Sequence, residues 1–109
     1  GIPPYDELII VANKNKISDP RYSKFIEGVE KGVQFLINHP DKSWKIFTKA
    51  YKDLDDELNK RAWRDTLSRF ALRPAAFDKK RYLRLARFLH QNGLIKRVLS
   101  VNEYATELQ

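Results

Sequence analysis

The longest uninterrupted run of apolar residues lies near the start of the chain, at residues 8–12 (LIIVA). Its central residues are β-branched, which favours a strand, and we predict a strand over residues 7–13. An unbroken apolar run is typical of a strand buried on both faces of a parallel sheet. No second segment of this kind follows, so the strand is expected to pair with a missing part of the same protein or with another copy.

The rest of the chain places apolar residues at three- and four-residue steps, which is the pattern of amphipathic helices. We predict helices at about 19–38, 41–52, 55–72 and 78–92, followed by a tail over 94–109. Asp19 before Pro20 suits a helix N-terminus, because the carboxylate accepts a free amide and proline needs no donor there. Ser100 and Glu103 have the spacing of a capping box within the tail.

The fourth predicted helix has the most complete boundary signals in the sequence. Phe77, Asp78 and Tyr82 have the spacing of a hydrophobic staple around an N-cap residue. At the other end, Gly93 suits the left-handed position after a helix, and the apolar Leu94 follows it. These signals predict both ends of the helix to within two residues.

These elements predict a mainly α-helical chain with one N-terminal strand, four helices and a short C-terminal turn. No internal repeat, low-complexity tract or flexible linker divides the sequence, so residues 1–109 are predicted to act as a single unit. The chain contains no Met and begins with Gly1, and we expect it to be a fragment of a longer protein.

Charge is distributed unevenly along the chain. Residues 1–57 carry nine Lys or Arg against ten Asp or Glu, whereas residues 58–109 carry twelve against four. A basic half raises the alternative of a helical nucleic-acid-binding module. The arginines have the spacing of the solvent-exposed face of amphipathic helices, and the loops show no helix-turn-helix pattern. A solvated face is therefore the favoured interpretation.

The sequence shows no catalytic or metal-binding pattern. His39 precedes a proline at a helix end, and His90 lies in the last turn of the fourth helix, so both suit structural roles. The acidic run over 53–57 lacks the glycine and distal glutamate of a calcium loop and is better explained by helix capping. There is no cysteine, phosphate-binding loop or nucleophile elbow. We predict a protein without enzymatic activity, metal or cofactor.

Residues 3–7 precede the predicted strand and are candidates for a ligand site. Ligands of open α/β sheets gather at strand ends, and loops that connect lobes often line the crevice. Tyr5 offers an aromatic face and a hydroxyl group to a planar ligand. Simple packing of Tyr5 at a turn is an equally good explanation.

Several segments together resemble the C-terminal third of the substrate-binding proteins of ABC transporters for thiamine pyrimidine precursors. These segments are residues 3–13 (PPYDELIIVAN), 25–29 (FIEGV), 63–67 (WRDTL), 92–95 (NGLI) and 101–106 (VNEYAT). The resemblance implies a two-lobed α/β fold of the type II periplasmic-binding-protein class. It also implies that residues 8–12 form a strand of the first lobe and that the helices cover that lobe.

The function implied by the resemblance is the capture of a small pyrimidine, such as hydroxymethylpyrimidine, and its delivery to an ABC permease. Tyr5, Asp6 and Glu7 stand nearest to the expected cleft and are the predicted ligand-binding residues. The resemblance implies a periplasmic or extracytoplasmic location, and exposed apolar faces suggest self-association of the fragment. Fungal relatives make the pyrimidine at an iron site rich in histidine and cysteine. This chain has no cysteine, and neither His39 nor His90 has a matching context, which favours transport and leaves a synthase as the alternative.

Overall fold

The computed structural model describes residues 1–108 of the chain. Four α-helices form most of it: α1 (Pro20–Asn38), α2 (Pro40–Ala50), α3 (Glu57–Leu67) and α4 (Lys79–Gln91). Short 3-10 helices lie at Lys14–Lys16, Lys52–Leu54 and Val101–Glu103. Over this described range, no helix combines the length and the apolar character needed to cross a bilayer. The predicted mainly helical chain with four helices is confirmed.

The predicted strand at residues 7–13 is wrong for the chain by itself. Residues 1–108 contain no strand, and no backbone group of residues 2–12 bonds to another backbone group. The side chains of this segment are exposed, to 96% at Leu8 and 81% at Val11. A helix closes its hydrogen bonds within its own residues, whereas a strand needs a neighbouring strand, and none is present here.

The first helix begins at the residues that the sequence singled out. Pro20 is its first residue, and Oδ1 of Asp19 accepts a hydrogen bond from the backbone N–H of Arg21 at 2.9 Å. The Arg21 side chain also contacts Asp19, with 2.7 Å between Nη2 and Oδ2. This side-chain contact, with the backbone hydrogen bond, lowers the pKa of Asp19.

The third helix is shorter than the predicted 55–72. Its N-cap is Asp56, whose Oδ1 accepts from the backbone N–H of Asn59 at 2.7 Å. Asp55 stays outside because its N–H bonds to Lys52 in the preceding 3-10 turn. At the other end, the N–H of Arg69 bonds to Thr66 over three residues instead of four, and this tighter turn ends the helix.

The fourth helix has both predicted ends. Asp78 is the N-cap, and the rings of Phe77 and Tyr82 meet edge to face at 5.6 Å between centroids, as in a hydrophobic staple. Gly93 has φ +71°, and its N–H bonds to the carbonyl of His90. The N–H of Leu94 bonds to Leu89, which completes a Schellman motif.

The chain falls into two compact units: residues 1–22 with 75–108, and residues 23–74. The second unit buries Ile26 and Val33 of α1 with Trp44 of α2. The first unit buries Ala86 of α4 and Val101. No large side chain of residues 1–108 is fully buried, so each unit has only a thin core. That residues 1–109 act as a single unit stays a prediction.

Candidate functional site

Of the three predicted site residues, Asp6 is anchored to a distant part of the first unit. Its Oδ1 atom accepts a hydrogen bond from Nη1 of Arg81 at 2.8 Å, across 75 positions of sequence. Every other side-chain hydrogen bond within residues 1–108 joins residues at most four positions apart. The Asp6–Arg81 pair therefore ties the N-terminal segment to α4.

The helix cap of α4 sets the position of Arg81. The Oδ1 atom of Asp78 accepts hydrogen bonds from the backbone N–H groups of Lys80 at 2.9 Å and of Arg81 at 3.4 Å. The Arg81 side chain is 41% exposed and that of Asp6 is 33% exposed. A partly exposed ion pair contributes only about 0–1 kcal/mol, so the pair orients the segment more than it stabilises the fold.

Tyr82 lies beside this ion pair, and Tyr104 lies next to Tyr82. The centroids of Tyr82 and Tyr104 are 6.3 Å apart, and Tyr104 directly follows the capped turn Val101–Glu103. Partial burial raises the pKa of Tyr82, and the negative charge of Asp6 raises it further. We call Asp6, Arg81, Tyr82 and Tyr104 the Asp6 cluster.

The capped turn before Tyr104 was predicted from Ser100 and Glu103, and the structure confirms it. The backbone N–H of Ser100 donates to Oε2 of Glu103 at 3.0 Å, and the reciprocal contact of the capping box is also present. Because the turn is closed at both of its capping contacts, the backbone leading into Tyr104 is fixed.

The Asp6 cluster combines groups suited to a planar polar ligand. A carboxylate accepts hydrogen bonds from amino groups, and a guanidinium donates to ring nitrogens or oxygens. Tyrosine rings offer flat apolar faces together with a hydroxyl group. The cluster can therefore bind and orient a polar ring through hydrogen bonds and ring contacts, without a covalent bond.

The structure does not bring Tyr5 and Glu7 into the cluster. Tyr5 is 43% exposed, and neither residue makes a side-chain hydrogen bond, an ion pair or a ring contact within the described range. Their role in ligand binding stays a prediction. Sequence reasoning missed Tyr104 and the link between Asp6 and Arg81, because residues this far apart in sequence leave no local pattern.

A second concave surface lies within residues 23–74. The ring of Trp63 packs against Trp44 at 5.5 Å and against Phe47 at 5.0 Å between centroids. These rings line an open groove of about 210 Å³. Its lining also includes Leu36, Leu67 and Phe70. This groove is an apolar surface, and its chemistry differs from that of the Asp6 cluster.

The histidines and the acidic run show no site of their own. His39 precedes α2, and its ring lies 4.9 Å from that of Phe35. The capping interpretation of the acidic run is confirmed at Asp56. In the part of the chain that the structure describes, no group of three or more His, Asp or Glu residues is placed to hold a metal ion.

Comparison with known proteins finds a partial family match and a longer relative. Residues 1–43 match the family model described as NMT1/THI5 like. Over 111 aligned residues, the chain is 43% identical to a Haemophilus influenzae protein named "Putative thiamine biosynthesis protein". The alignment covers 100% of this chain but only 35% of that relative. No solved structure matches the chain. The family resemblance predicted from the sequence is confirmed by these matches.

Proposed function

Given this similarity to the NMT1/THI5-like family, we propose that the chain is part of a protein that captures a thiamine pyrimidine precursor for uptake. The ligand resembles hydroxymethylpyrimidine, and the protein passes it to an ABC permease from a periplasmic or extracytoplasmic location. The family match and the biosynthesis name of the relative support a role connected with thiamine. The transport step and the type II two-lobed fold of the longer protein are our proposals.

The observation that carries the proposal is the Asp6–Arg81 hydrogen bond of 2.8 Å. This bond holds the carboxylate of Asp6 beside Tyr82. Asp6 lies within the stretch that the family model matches. An aminopyrimidine is flat, donates hydrogen bonds from its amino group and accepts them at ring nitrogens. In this proposal Asp6 accepts from the amino group, and Tyr5 and Glu7 contact the ligand as further binding residues.

Further residues of a longer protein complete the pocket in this proposal. Binding sites for small ligands enclose roughly 70–90% of the ligand surface, whereas Asp6 and Arg81 lie on an open surface. Large apolar side chains elsewhere are also exposed, including Leu58 to 76%, Leu94 to 68% and Phe25 to 59%. The relative is long enough to supply residues that cover such positions, since this chain spans 35% of it.

Calorimetric titration with hydroxymethylpyrimidine tests the binding step. We expect no measurable heat with this chain alone and micromolar or tighter binding by the full-length protein that contains it. In the full-length protein, Asp6→Ala removes an acceptor that bears charge. The affinity should fall roughly tenfold to a hundredfold, since such hydrogen bonds are worth about 1.5–3 kcal/mol.

Asp41→Ala is the matched control, because Asp41 is an exposed carboxylate in the first turn of α2. This change should leave the affinity of the full-length protein unaltered. Micromolar binding by this chain alone, or no binding by the full-length protein, would contradict the proposal. Equal losses in the two variants would reject Asp6 as a ligand contact.

The name of the relative favours a second candidate, an enzyme that makes the pyrimidine. Growth of a thiamine-requiring strain separates the two functions. A transport protein rescues growth only when the pyrimidine is supplied outside the cell, whereas a synthase rescues growth without it. We expect rescue that depends on the supplied pyrimidine, and rescue in its absence would establish synthesis instead.

A further inference from the structure

The segment at residues 8–12 has exposed apolar side chains and backbone groups without backbone partners. Its exposed fractions are 96% at Leu8, 59% at Ile9, 53% at Ile10 and 81% at Val11. No backbone N–H or carbonyl of this segment has a backbone partner, and the described residues contain no strand. Leu8 lies in a bend and residues 9–12 have no regular secondary structure. An apolar segment with free backbone groups that straightens into a strand is a template for pairing with another chain.

We infer that two copies of the chain pair through residues 8–12 as an antiparallel ribbon. The charges on either side of the segment select the partner and the direction. Glu7 precedes the segment together with Asp6, whose carboxylate also bonds to Arg81, and Lys14 and Lys16 follow it. Antiparallel pairing brings the acidic end of one copy to the basic end of the other. Parallel pairing would place like charges side by side, which destabilises a sheet.

The apolar residues also select the register of the two strands. In a two-fold symmetric antiparallel pair, both copies use the same edge of the strand, and one residue lies opposite its own copy on the axis. Shifting the pairing by a single position breaks this symmetry, so only every second register is allowed. With Ile10 on the axis, Leu8 lies opposite Ala12 and Ile9 lies opposite Val11, so all five residues of the segment face apolar partners. The neighbouring allowed registers place Leu8 opposite Lys14, or Glu7 opposite Val11.

The ends of the segment limit the length of the ribbon. Asn13 caps the 3-10 turn Lys14–Lys16, and its side chain accepts from the N–H of Asn15 at 2.9 Å. At the other end, Pro3 and Pro4 lack the N–H that a ladder needs. A short two-stranded ribbon is marginally stable in water, so we expect a dimer that dissociates on dilution.

The inference does not rest on the proposed function, because it uses only the residues between Pro3 and Lys16. A longer polypeptide with a sheet of its own would compete for the same backbone edge. The dimer is then a property of this chain when it stands alone.

Single cysteines test both the pairing and its direction, because the chain has no cysteine of its own. Under mild oxidation, Ile10→Cys should form a covalent dimer, because both copies of the residue lie on the axis. Leu8→Cys and Ala12→Cys should form far less of it. In the antiparallel register, identical residues at these positions lie about 13 Å apart, at 3.3 Å per residue. Equal cross-linking at all three positions would overturn the antiparallel arrangement.

Light scattering after size-exclusion chromatography tests the interface without cross-linking. The unmodified chain should shift from monomer to dimer as its concentration rises. Ile10→Asp should stay monomeric, because it places two carboxylates face to face. Ile46→Asp is the matched control: Ile46 is exposed to 56% and Ile10 to 53%, but Ile46 lies on α2. This control should dimerise as the unmodified chain does.

Two results would overturn the inference. The unmodified chain could remain monomeric at every concentration while Ile10→Asp lowers its melting temperature, which would mean that the segment folds back onto its own chain. Alternatively, Ile46→Asp could abolish the dimer while Ile10→Asp leaves it intact, which would place the interface on the helices.

Discussion

The fourth helix and the segment at residues 8–12 are the two most strongly patterned parts of the sequence, yet only the helix forms. All the contacts that define α4 join residues close in sequence, from the Asp78 cap to the bond between Leu94 and Leu89. The segment has an equally clear pattern but no backbone partner. The difference shows that a helix signal is complete within one stretch, whereas a strand signal also needs a second stretch.

The largest expected effect is on the free energy of unfolding, when a packed side chain is replaced instead of an exposed one. Trp44 is 9% exposed and its ring lies 5.5 Å from that of Trp63, so Trp44→Ala removes part of a small aromatic core. We expect a loss of about 3 kcal/mol in the free energy of unfolding. Leu8→Ala should cost almost nothing in dilute solution, because Leu8 is 96% exposed.

Urea denaturation followed by circular dichroism measures both variants at a concentration where the chain is monomeric. If Leu8→Ala destabilised the monomer as much as Trp44→Ala, residues 8–12 would be packed against the chain. The contrast between α4 and the segment would then fail.

The next effect is the loss of a helix cap. Asp78→Ala removes the acceptor for the N–H groups of Lys80 and Arg81, and we expect a loss of about 1 kcal/mol. Asp65→Ala is the control, because Asp65 lies within α3, is exposed and caps nothing. Thermal melts should give a lower melting temperature for Asp78→Ala than for Asp65→Ala. Equal melting temperatures would show that α4 is not defined by its local cap.

A stability change of similar size is expected when either of two glycines with different backbone conformations is replaced by alanine. A Cβ atom at Gly93 or at Gly28 would meet nothing within 4 Å. Gly93 has φ +71°, so Gly93→Ala should cost about 1 kcal/mol. Gly28 lies inside α1, so Gly28→Ala should gain about 0.5–1 kcal/mol. A gain at both positions would mean that the Schellman motif adds nothing to the end of α4.

The same distinction explains how much of the molecule could be predicted. The starts of α1 and α4, the staple between Phe77 and Tyr82, and the capping box at Ser100 are short-range features, and all were predicted correctly. The early end of α3 was missed, because it depends on a three-residue backbone contact at Arg69 that apolar spacing does not reveal.

The candidate site shows the limit of local patterns more clearly. Asp6 was singled out through a family resemblance, and Arg81 was noticed only as one of many basic residues. Their contact spans 75 positions, and no periodicity connects them. A strand pairing partner and a long-range ion pair are hidden from the sequence for the same physical reason, since both depend on which distant stretches meet.

The smallest expected effect measures whether the N-terminal segment is held at α4 in solution. Burial and then the charge of Asp6 raise the pKa of Tyr82. Asp6→Asn removes the charge but keeps the shape, so the pKa of Tyr82 should fall part of the way to its ordinary value. Glu7→Gln, which removes the neighbouring charge, should leave it unchanged. Tyrosinate absorbance, with Tyr82→Phe to assign the signal, follows the titration.

The raised pKa also fixes the sign of a change in stability with pH. The folded chain favours the neutral Tyr82 more than the unfolded chain does. This contribution is fully present below the ordinary tyrosine pKa of about 10 and is lost as the pH rises through the raised value. Asp6→Asn should therefore weaken the loss of stability above pH 10. If the variant and the unmodified chain titrate alike, Asp6 does not stay beside Tyr82, and the N-terminal segment is unanchored as well as unpaired.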